Sequence, residues 1–329
     1  MRERLCHFLC CPECRGELQL VAHEQAGGEI LTGLLVCPHC NLDFRVEAGV
    51  PRFVPATLSY EKQHTARNFG TSWKIWHGID DERYRWQLLK WLTPLTAGDF
   101  RAKTVLDAGC GKGRHLRVLA QFGASDVIGV DLSEAVDVAY ANTRTLDNVH
   151  VIQADLLNMP LKGGFDMVLS VGVLHHTPDP ARSFSAITRQ VRGGGTAACW
   201  VYGRENNGWI VRFVNPIRIG VTRHLPSWVV RAIACGLAAI LFLMIYLLYL
   251  PAEVLSIKLF YQTYMLNLKA LGFAECRHIV YDHLVAPTTF YLRRAEVEGW
   301  FLETGISKCT ISWVNRNSWS GVGIVPAPA

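Results

Sequence analysis

Three acidic residues in the middle of the chain each stand at the end of a short apolar run. These residues are Asp107, Asp131 and Asp155, and the steps between them are both 24 residues. That is about the length of a strand plus a returning helix in a parallel α/β sheet. Because open parallel sheets bind ligands beyond the carboxyl ends of their strands, we expect the three carboxylates to line one binding site.

A glycine-rich turn follows the first acid, with Gly109, Gly111 and Gly113 at alternate positions ahead of a helical pattern. Glycines remove Cβ atoms where the backbone turns sharply and approaches a ligand. The spacing differs from the G-x-G-x-x-G turn of dinucleotide sites, and a site rich in carboxylates suits a cationic nucleoside without phosphates. We expect Asp131 to accept the ribose hydroxyls and Asp155 to accept from an adenine amine. A dinucleotide-binding α/β domain is the alternative.

Five motifs together resemble the class I S-adenosylmethionine-dependent methyltransferases, of the methyltransferase type 11 kind. They occupy residues 105–115, 129–133, 153–157, 165–179 and 191–195. The resemblance implies a methyltransferase that uses S-adenosylmethionine, with an α/β fold built on a Rossmann-like, doubly wound, seven-stranded sheet. It also implies a set of cofactor-binding residues: Asp107, Gly109, Cys110, Gly111, Gly113, Asp131, Leu132, Asp155, Leu156 and Ser170.

Two cysteine pairs near the start of the chain have the spacing of a metal site. Cys11 and Cys14 form one C-x₂-C pair, and Cys37 and Cys40 form the other. Two tight turns of this kind close a tetrahedral site suited to zinc. Because all four ligands are thiolates, we expect a structural zinc site without an open coordination position.

The cysteine pairs flank a predicted hairpin, so residues 1–55 form a predicted zinc ribbon. Cys10 and His39 lie close enough in sequence to replace one ligand. The ribbon resembles the small zinc-ribbon proteins that serve as activator subunits of tRNA and protein methyltransferases. Fused to an enzyme, it would stabilise the domain, recruit a partner or cap the fold.

The remaining chain divides into two parts. We expect residues 56–103 to be a linker with cap helices that close over the cofactor, although its tryptophans Trp73 and Trp76 suit a packing role equally well. Residues 104–329 are the predicted methyltransferase domain. A segment over residues 203–292 interrupts the expected element order as an apolar helical insertion.

Composition favours a globular protein of the cytoplasm. The chain has 329 residues, of which 50% are hydrophobic, and its net charge of +5 is too modest to indicate nucleic-acid binding. The start lacks a long apolar signal region, so we expect reduced cysteines and a cytoplasmic location.

The segment after the fourth strand, residues 170–176, bears on the atom that is modified. It lacks the Asn/Asp-Pro-Pro-aromatic turn of amino methyltransferases, and no Pro-Cys pair suits cytosine chemistry. We therefore expect nucleic acid to be an unlikely partner. His175 and His176 are candidates for a catalytic base, and packing or helix capping is the alternative. In-line methyl transfer also proceeds by positioning alone.

Asp282 is a third catalytic candidate. It lies in residues 281–291, a segment that resembles part of the methyltransferases of quinone biosynthesis and cell-surface pathways. Asp282, with His283 and Tyr291, would orient the acceptor. A hydrogen-bonded corner without a catalytic role is the alternative.

Residues 232–250 contain no charge, so hydropathy alone predicts a transmembrane helix. A single crossing would split the predicted sheet across the bilayer, which leaves an interfacial element or a lid over a hydrophobic acceptor. Residues 206–274 hold six bases and one acid, and this balance favours contact with an anionic membrane surface. We expect a peripheral position at the cytoplasmic face.

These observations favour methyl transfer to oxygen or carbon of a hydrophobic small molecule or a lipid-linked acceptor. The alternative is a methyltransferase that the zinc ribbon guides to RNA or protein. Binding of the cofactor without catalysis is a third possibility, which the intact motifs disfavour.

Overall fold

Eleven strands form one mixed sheet in the computed structural model, which describes residues 1–55 and 57–327 apart from the side chain of Arg223. Residues 104–329 contribute strands in the order β7-β6-β5-β8-β9-β11-β10. These strands are β5 (Thr104–Ala108), β6 (Asp126–Asp131), β7 (Val149–Ala154), β8 (Phe165–Val171), β9 (Val191–Tyr202), β10 (Cys309–Val314) and β11 (Ser318–Ile324). Strands β5 to β9 run parallel, and β11 is antiparallel to β9, which confirms the predicted Rossmann-like α/β class.

The zinc ribbon extends this sheet. Its strands are β1 (Gln19–Ala26), β2 (Glu29–Cys37), β3 (Leu42–Glu47) and β4 (Val50–Phe53). Strand β4 pairs in parallel with β7, where Arg52 is opposite Gln153 and Phe53 is opposite Ala154. The prediction of seven strands is therefore too low, because the sequence gives no signal that the ribbon pairs with the edge of the domain sheet.

Helices cover both faces of the sheet, as in a doubly wound fold. One apolar core contains Phe184 and Phe301 and also the ribbon residues Leu5 and Leu9. The opposite core contains Leu88 and Leu116. The helices that supply these cores are α2 (Asp81–Trp91), α3 (Arg114–Gln121), α4 (Ala135–Thr143), α5 (Pro180–Thr188) and α11 (Arg294–Glu303). The ribbon thus shares both a sheet and a core with the enzyme domain.

Two α-helices precede the domain and a further set of helices interrupts it. The first is α1 (Tyr60–Ile75), which begins at Ser59, whose hydroxyl accepts a hydrogen bond from the Lys62 amide. The insertion holds α6 (Asn215–Gly220), α7 (Ser227–Met244), α8 (Leu250–Val254), α9 (Gln262–Leu271) and α10 (Phe273–Val285). The predicted insertion over residues 203–292 is therefore helical.

Helices α7 and α8 join through a π turn at Ile245–Tyr249, so one helix runs over Ser227–Val254. Its length and apolar composition suffice to cross a membrane, and this is weak evidence because core helices pass the same test. Val230, Ala234 and Ala238 form a buried stripe at the helical spacing of four residues. Helix α7 packs against α10, which attaches it to the domain.

Candidate functional site

The carboxyl ends of the central strands surround a cleft with about 1740 Å³ of empty space, counted out to its open mouth. The glycine turn after β5 forms one wall. Gly109 has a φ of 94°, a conformation that L side chains rarely adopt, and a Cβ there would lie 2.3 Å from Cγ2 of Val173. A Cβ at Gly111 would approach the Trp73 indole to 3.0 Å. The turn therefore needs glycine to leave room for the neighbouring walls.

Asp131 at the end of β6 is fixed by the same turn. Its carboxylate accepts hydrogen bonds from the Gly111 amide at 2.9 Å and from the Ser133 amide and hydroxyl at 2.8 and 2.6 Å. Burial raises the pKa of Asp131, and these hydrogen bonds oppose the rise. The carboxylate lies in the cleft lining, where it can accept further hydrogen bonds from a pair of hydroxyls.

Asp107 lies beneath the turn. It is 1% exposed, and its Oδ2 atom has no hydrogen-bond partner among the described residues. Burial raises the pKa of Asp107 to about 7, and the Arg114 guanidinium opposes this shift. An orphaned buried acceptor of this kind suits a donor that arrives with a ligand, such as an ammonium group.

The predicted cofactor residues divide into two groups. Those that line the cleft are Gly109, Cys110, Gly111, Asp131, Leu132, Asp155 and Leu156. Asp107, Gly113 and Ser170 are absent from the lining that the described residues form. Gly113 precedes helix α3 with a φ of 82°, and the Ser170 hydroxyl donates to the Ala108 carbonyl at 2.9 Å, so both position the turn.

Helix α1 forms the opposite wall. Lys62, Phe69 and Trp73 lie on its cleft side, and the Lys62 ammonium forms an ion pair with Asp155 at the end of β7. Lys62 was not among the residues predicted from the sequence, although residues 62, 65, 66, 69 and 73 have the spacing of one helix face. Trp76 is absent from the described lining and stacks on His278 at a centroid distance of 4.8 Å.

Helix α10 brings a chain of ionisable groups to the far side of the cleft. Glu275, His278 and Asp282 share one helix face, and all three line the cleft. The His278 ring has Nε2 3.2 Å from the Asp282 carboxylate and Nδ1 3.8 Å from Glu275. The Ser72 hydroxyl donates to Asp282 at 3.1 Å. Burial raises the pKa of Asp282, which suits a proton acceptor near the cleft.

Glu275 continues this chain toward the glycine turn. Its carboxylate lies 3.4 Å from Arg114 and accepts from the Tyr84 hydroxyl at 3.0 Å. Burial opposes ionisation, but His278, Arg114 and Lys112 together hold the pKa of Glu275 well below its usual range. Asp282 was predicted from the sequence, but Glu275 and His278 were not. They stand seven and four residues before Asp282, which is the spacing of one helix face.

One end of the cleft is lined by aromatic rings and amide side chains. Tyr202 stacks on His283 at 5.3 Å and on Tyr291 at 5.7 Å between centroids. Burial lowers the pKa of His283 to about 4 and raises the pKa of Tyr202 and of Tyr291. Amide side chains from Asn207, Asn267 and Asn315 complete this end. Flat rings and amides at neutral charge suit a planar, hydrogen-bonding molecule.

The two predicted catalytic histidines differ in access. His176 lines the cleft, and its Nδ1 atom lies 2.8 Å from the Thr288 carbonyl, so Nδ1 donates and Nε2 accepts. Burial lowers the pKa of His176 to about 4. A neutral imidazole of this kind suits a hydrogen-bond acceptor better than a base that removes a proton. His175 is fully buried against Tyr202 at 4.1 Å and is absent from the described lining.

The four predicted metal ligands meet at the tip of the ribbon. The Sγ atoms of Cys11, Cys14, Cys37 and Cys40 all lie within 4.8 Å of one another. Four thiolates about 2.3 Å from one ion lie about 3.8 Å apart, so this set fits a tetrahedral site. Cys10 and His39 are outside the described cluster.

The long apolar helix does not line the cleft. Among the described lining residues, none belongs to residues 211–263. The apolar character of this helix therefore says nothing about the molecule that the cleft binds, and the lid interpretation is not supported.

Two protein families match the chain. Residues 106–199 match the methyltransferase domain family, and residues 2–49 match the Trm112p-like protein family. The chain therefore joins an S-adenosylmethionine-dependent methyltransferase domain to a Trm112-like zinc-binding ribbon, as its motifs predict.

Curated relatives with similar sequences are tRNA U34 carboxymethyltransferases. The protein of Psychromonas ingrahamii is 29% identical over 171 residues, which are 48% of this chain and 50% of that protein. The protein of Actinobacillus succinogenes is 34% identical over 117 residues, 34% of this chain and 35% of that protein. The chain thus spans half or less of the length of these relatives.

A solved structure with the same fold is the DhpI–SAH complex. It is 17% identical and has a TM-score of 0.51, and the match covers 83% of this chain and 100% of that one. At this identity the likeness concerns the fold alone.

The relatives correct two expectations. They are named for tRNA, so the prediction of a hydrophobic small-molecule or lipid-linked acceptor is wrong, and so is the prediction that nucleic acid is an unlikely partner. The first error came from assigning the apolar helix to the acceptor site, which it does not line. The second error came from two motifs whose absence argues only against methylation of base amino groups and of cytosine carbon 5.

Proposed function

We propose that the protein is an S-adenosylmethionine-dependent methyltransferase that modifies a nucleoside in RNA, with tRNA as the first candidate. The observation that carries this proposal is the cleft that joins the glycine turn and Asp131 to an end lined by aromatic rings and amides. A base fits that end by stacking on rings and pairing with amides. The tRNA relatives support RNA as the source of the base.

The glycine turn, Asp131 and Asp107 would hold the cofactor, since they offer space, hydroxyl acceptors and an orphaned acceptor for an ammonium. When bound, S-adenosylmethionine supplies an electrophilic methyl carbon on a sulfonium. When the methylated atom of the nucleoside bonds to the methyl carbon, that atom releases a proton, and Asp282 accepts this proton. His278 and Ser72 orient the Asp282 carboxylate, and the neutral Nε2 of His176 accepts a hydrogen bond from the bound nucleoside.

We propose a methyl group rather than a carboxymethyl group as the cargo. A carboxymethyl donor carries an additional carboxylate, which a buried site must meet with a cation. Among the described lining residues, the lysine and arginine side chains are Lys62 and Arg114. Each of them already faces a carboxylate, Asp155 and Glu275 respectively.

We propose a structural role for the Cys₄ cluster, with zinc as its ion, because four thiolates favour zinc in a closed tetrahedral site. The bound ion would fix the ribbon whose strand β4 continues the domain sheet.

For location, we propose the cytoplasm, with the exposed side of helix α7 resting on a membrane surface. Ile240, Leu243 and Leu247 are 56%, 59% and 70% exposed on the side opposite the buried stripe. The buried stripe attaches the helix to α10, so the helix would lie along the surface instead of crossing. Residues 206–252 contain no carboxylate, which suits an anionic leaflet.

Nucleoside mass spectrometry tests the reaction. Total tRNA from a strain that lacks the gene should lack one modified nucleoside that the wild-type tRNA contains. The mass of that nucleoside should exceed the mass of its precursor by one methyl group. The wild-type gene should restore it, and an Asp131→Ala gene should not. A difference of a carboxymethyl group would contradict the choice of cargo, and identical tRNA profiles would contradict the proposed substrate.

A further inference from the structure

A second depression adjoins the aromatic end of the cleft. This groove, which we call the flanking groove, lies between helix α2, the loop from α8 to α9 and the turn between β10 and β11, and it has about 1550 Å³ of empty space counted to the solvent. Tyr264, Asn267 and Asn315 line both the cleft and the groove. The groove therefore adjoins the end of the cleft where the acceptor would bind, and these three residues lie between the two.

The groove carries three cations and one carboxylate among its described lining residues. The cations are Lys90, Lys258 and Arg316, and the carboxylate is Glu253, which accepts from the Gln262 amide at 2.5 Å. No salt bridge involves any of these cations within the described part of the chain, and Lys258 and Arg316 are exposed. Because the three cations outnumber the one carboxylate, the groove carries a net positive charge.

Exposed aromatic rings line the same groove as these cations. Trp86 is 39% exposed, and the Lys90 ammonium lies 4.6 Å from the centre of its ring. Phe260, beside Lys258, is 66% exposed and lies 4.8 Å from the Tyr261 ring. Cations interleaved with exposed rings are what single-stranded nucleic acid requires, because phosphates pair with the cations and unstacked bases lie on the rings.

Arg316 is directed outward by its turn. Asn315 and Arg316 have φ values of 49° and 57°, and the Arg316 carbonyl accepts from the Asn206 side chain at 2.8 Å. The turn therefore places a buried amide, Asn315, beside an exposed guanidinium. Asn315 is 7% exposed and its Oδ1 atom has no partner among the described residues, so it offers an acceptor to an entering base.

We infer that the flanking groove binds the RNA strand next to the modified nucleoside. Lys258 and Arg316 contact phosphates, Trp86 and Phe260 stack on neighbouring bases, and the target base enters the cleft past Tyr264, Asn267 and Asn315. This inference rests on the proposed function and names the part of the surface that recognises the substrate. An acidic peptide is the other occupant that the charge would suit, and the test below separates the two.

The experiment compares the full-length protein with a Lys258→Ala/Arg316→Ala variant. The probe is a fluorescein-labelled single-stranded RNA whose binding is followed by fluorescence anisotropy across a salt series. We expect RNA affinity to fall about tenfold near 0.1 M salt, and the slope of log affinity against log salt to weaken by about 0.7 for each lost phosphate contact. A Trp86→Leu variant should weaken binding with the slope unchanged, because stacking releases no counterions.

A matched control removes one lysine and one arginine elsewhere. Arg182 and Lys308 are exposed and lie outside the described linings of both the cleft and the groove. Arg182→Ala/Lys308→Ala should leave RNA affinity within about twofold of the wild type. The charge-conserving variant Lys258→Arg/Arg316→Lys should retain most of the RNA affinity. Calorimetry should give the same affinity for S-adenosylmethionine in all of these proteins.

The outcomes are distinguishable. If the wild-type protein methylates RNA and the groove variant binds RNA with unchanged affinity and slope, the groove inference is overturned and the proposed function stands. If the wild-type protein neither binds nor methylates RNA, both the proposed function and the inference about the groove are overturned. Tighter binding of a polyglutamate peptide than of RNA, lost in the groove variant, would also overturn the inference.

Discussion

The Lys62 ammonium of helix α1 pairs with the Asp155 carboxylate at the end of strand β7. Asp155 is the acid that the motif pattern assigns to an adenine amine, so the helix over the cleft and the cofactor site meet at one carboxylate. The side chains are only 20% and 12% exposed, which limits screening by water.

This ion pair predicts a role for Lys62 in retaining the cofactor. Lys62→Met should lower S-adenosylmethionine affinity about fivefold, on the order of 1 kcal/mol, because helix α1 loses its attachment across the cleft. Lys74→Met is the matched control, since Lys74 lies on the same helix as Lys62 and forms a more exposed ion pair, with Glu134. Titration calorimetry measures both, and tighter binding by Lys62→Met would show that Lys62 competes with the cofactor for Asp155.

The Cys₄ cluster predicts a stability effect that extends beyond the ribbon. Cys37→Ser should abolish binding of one zinc per chain and lower the melting temperature of the whole protein by roughly 10 °C, because strand β4 and residues Leu5 and Leu9 belong to the domain sheet and core. Cys235→Ser, at an exposed position of α7, is the control. Metal analysis and scanning calorimetry measure the two effects. A separate early transition for the ribbon alone would contradict the shared core.

Asp107 predicts a fall in stability as pH rises. Its carboxyl has a folded-state pKa of about 7 against an ordinary pKa of 3.8, so between these values the folded protein holds a proton that the unfolded chain releases. The contribution of this group to folding stability should therefore decrease from about pH 4 to about pH 7. Asp107→Asn should remove this decrease. Above pH 7 its free energy of unfolding should exceed that of the wild type by about 1–3 kcal/mol, so it should unfold at a higher urea concentration.

Urea titrations at a series of pH values provide the measurement, in the absence of the cofactor. Asp43→Asn, at an exposed position, should keep the wild-type pH profile. A profile for Asp107→Asn that parallels the wild type would show that the Asp107 carboxyl titrates normally.

The exposed side of α7 predicts binding to anionic vesicles. A Leu243→Glu/Leu247→Glu variant should lose flotation with vesicles of phosphatidylglycerol and phosphatidylcholine, because it places charge on the face that would enter the headgroup region. A Leu302→Glu variant, at an exposed apolar position of α11, is the control. Equal flotation of all three proteins, or none for the wild type, would contradict the proposed location.

Local patterns predicted the parts of this protein that depend on short-range sequence. The glycine turn, the acids at the ends of β5 and β6 and the four cysteines all follow from residue type and spacing, and the fold class follows from the repeated strand and helix pattern. The pairing of β4 with β7 was not predictable, because a strand of four residues carries no mark of its partner.

The acceptor side of the site was harder to predict for the same reason. Arg114, Glu275 and Tyr84 come from three separate helices, and only the tertiary fold brings them together. The apolar run in α7 was the strongest hydropathy signal of the chain and indicated the wrong acceptor, because hydropathy reports that a surface avoids water and not which molecule covers it.

The most direct test of the account is transfer of a labelled methyl group from S-adenosylmethionine to unmodified tRNA by the purified full-length protein. We predict incorporation of one methyl group into a nucleoside of the tRNA. Loss of about 10–100-fold is expected for Asp131→Ala, which removes a carboxylate that accepts charge-assisted hydrogen bonds. Asp147→Ala, at an exposed position, should retain wild-type activity. No label in RNA under conditions where the protein binds the cofactor, or equal labelling by Asp131→Ala, would contradict the account.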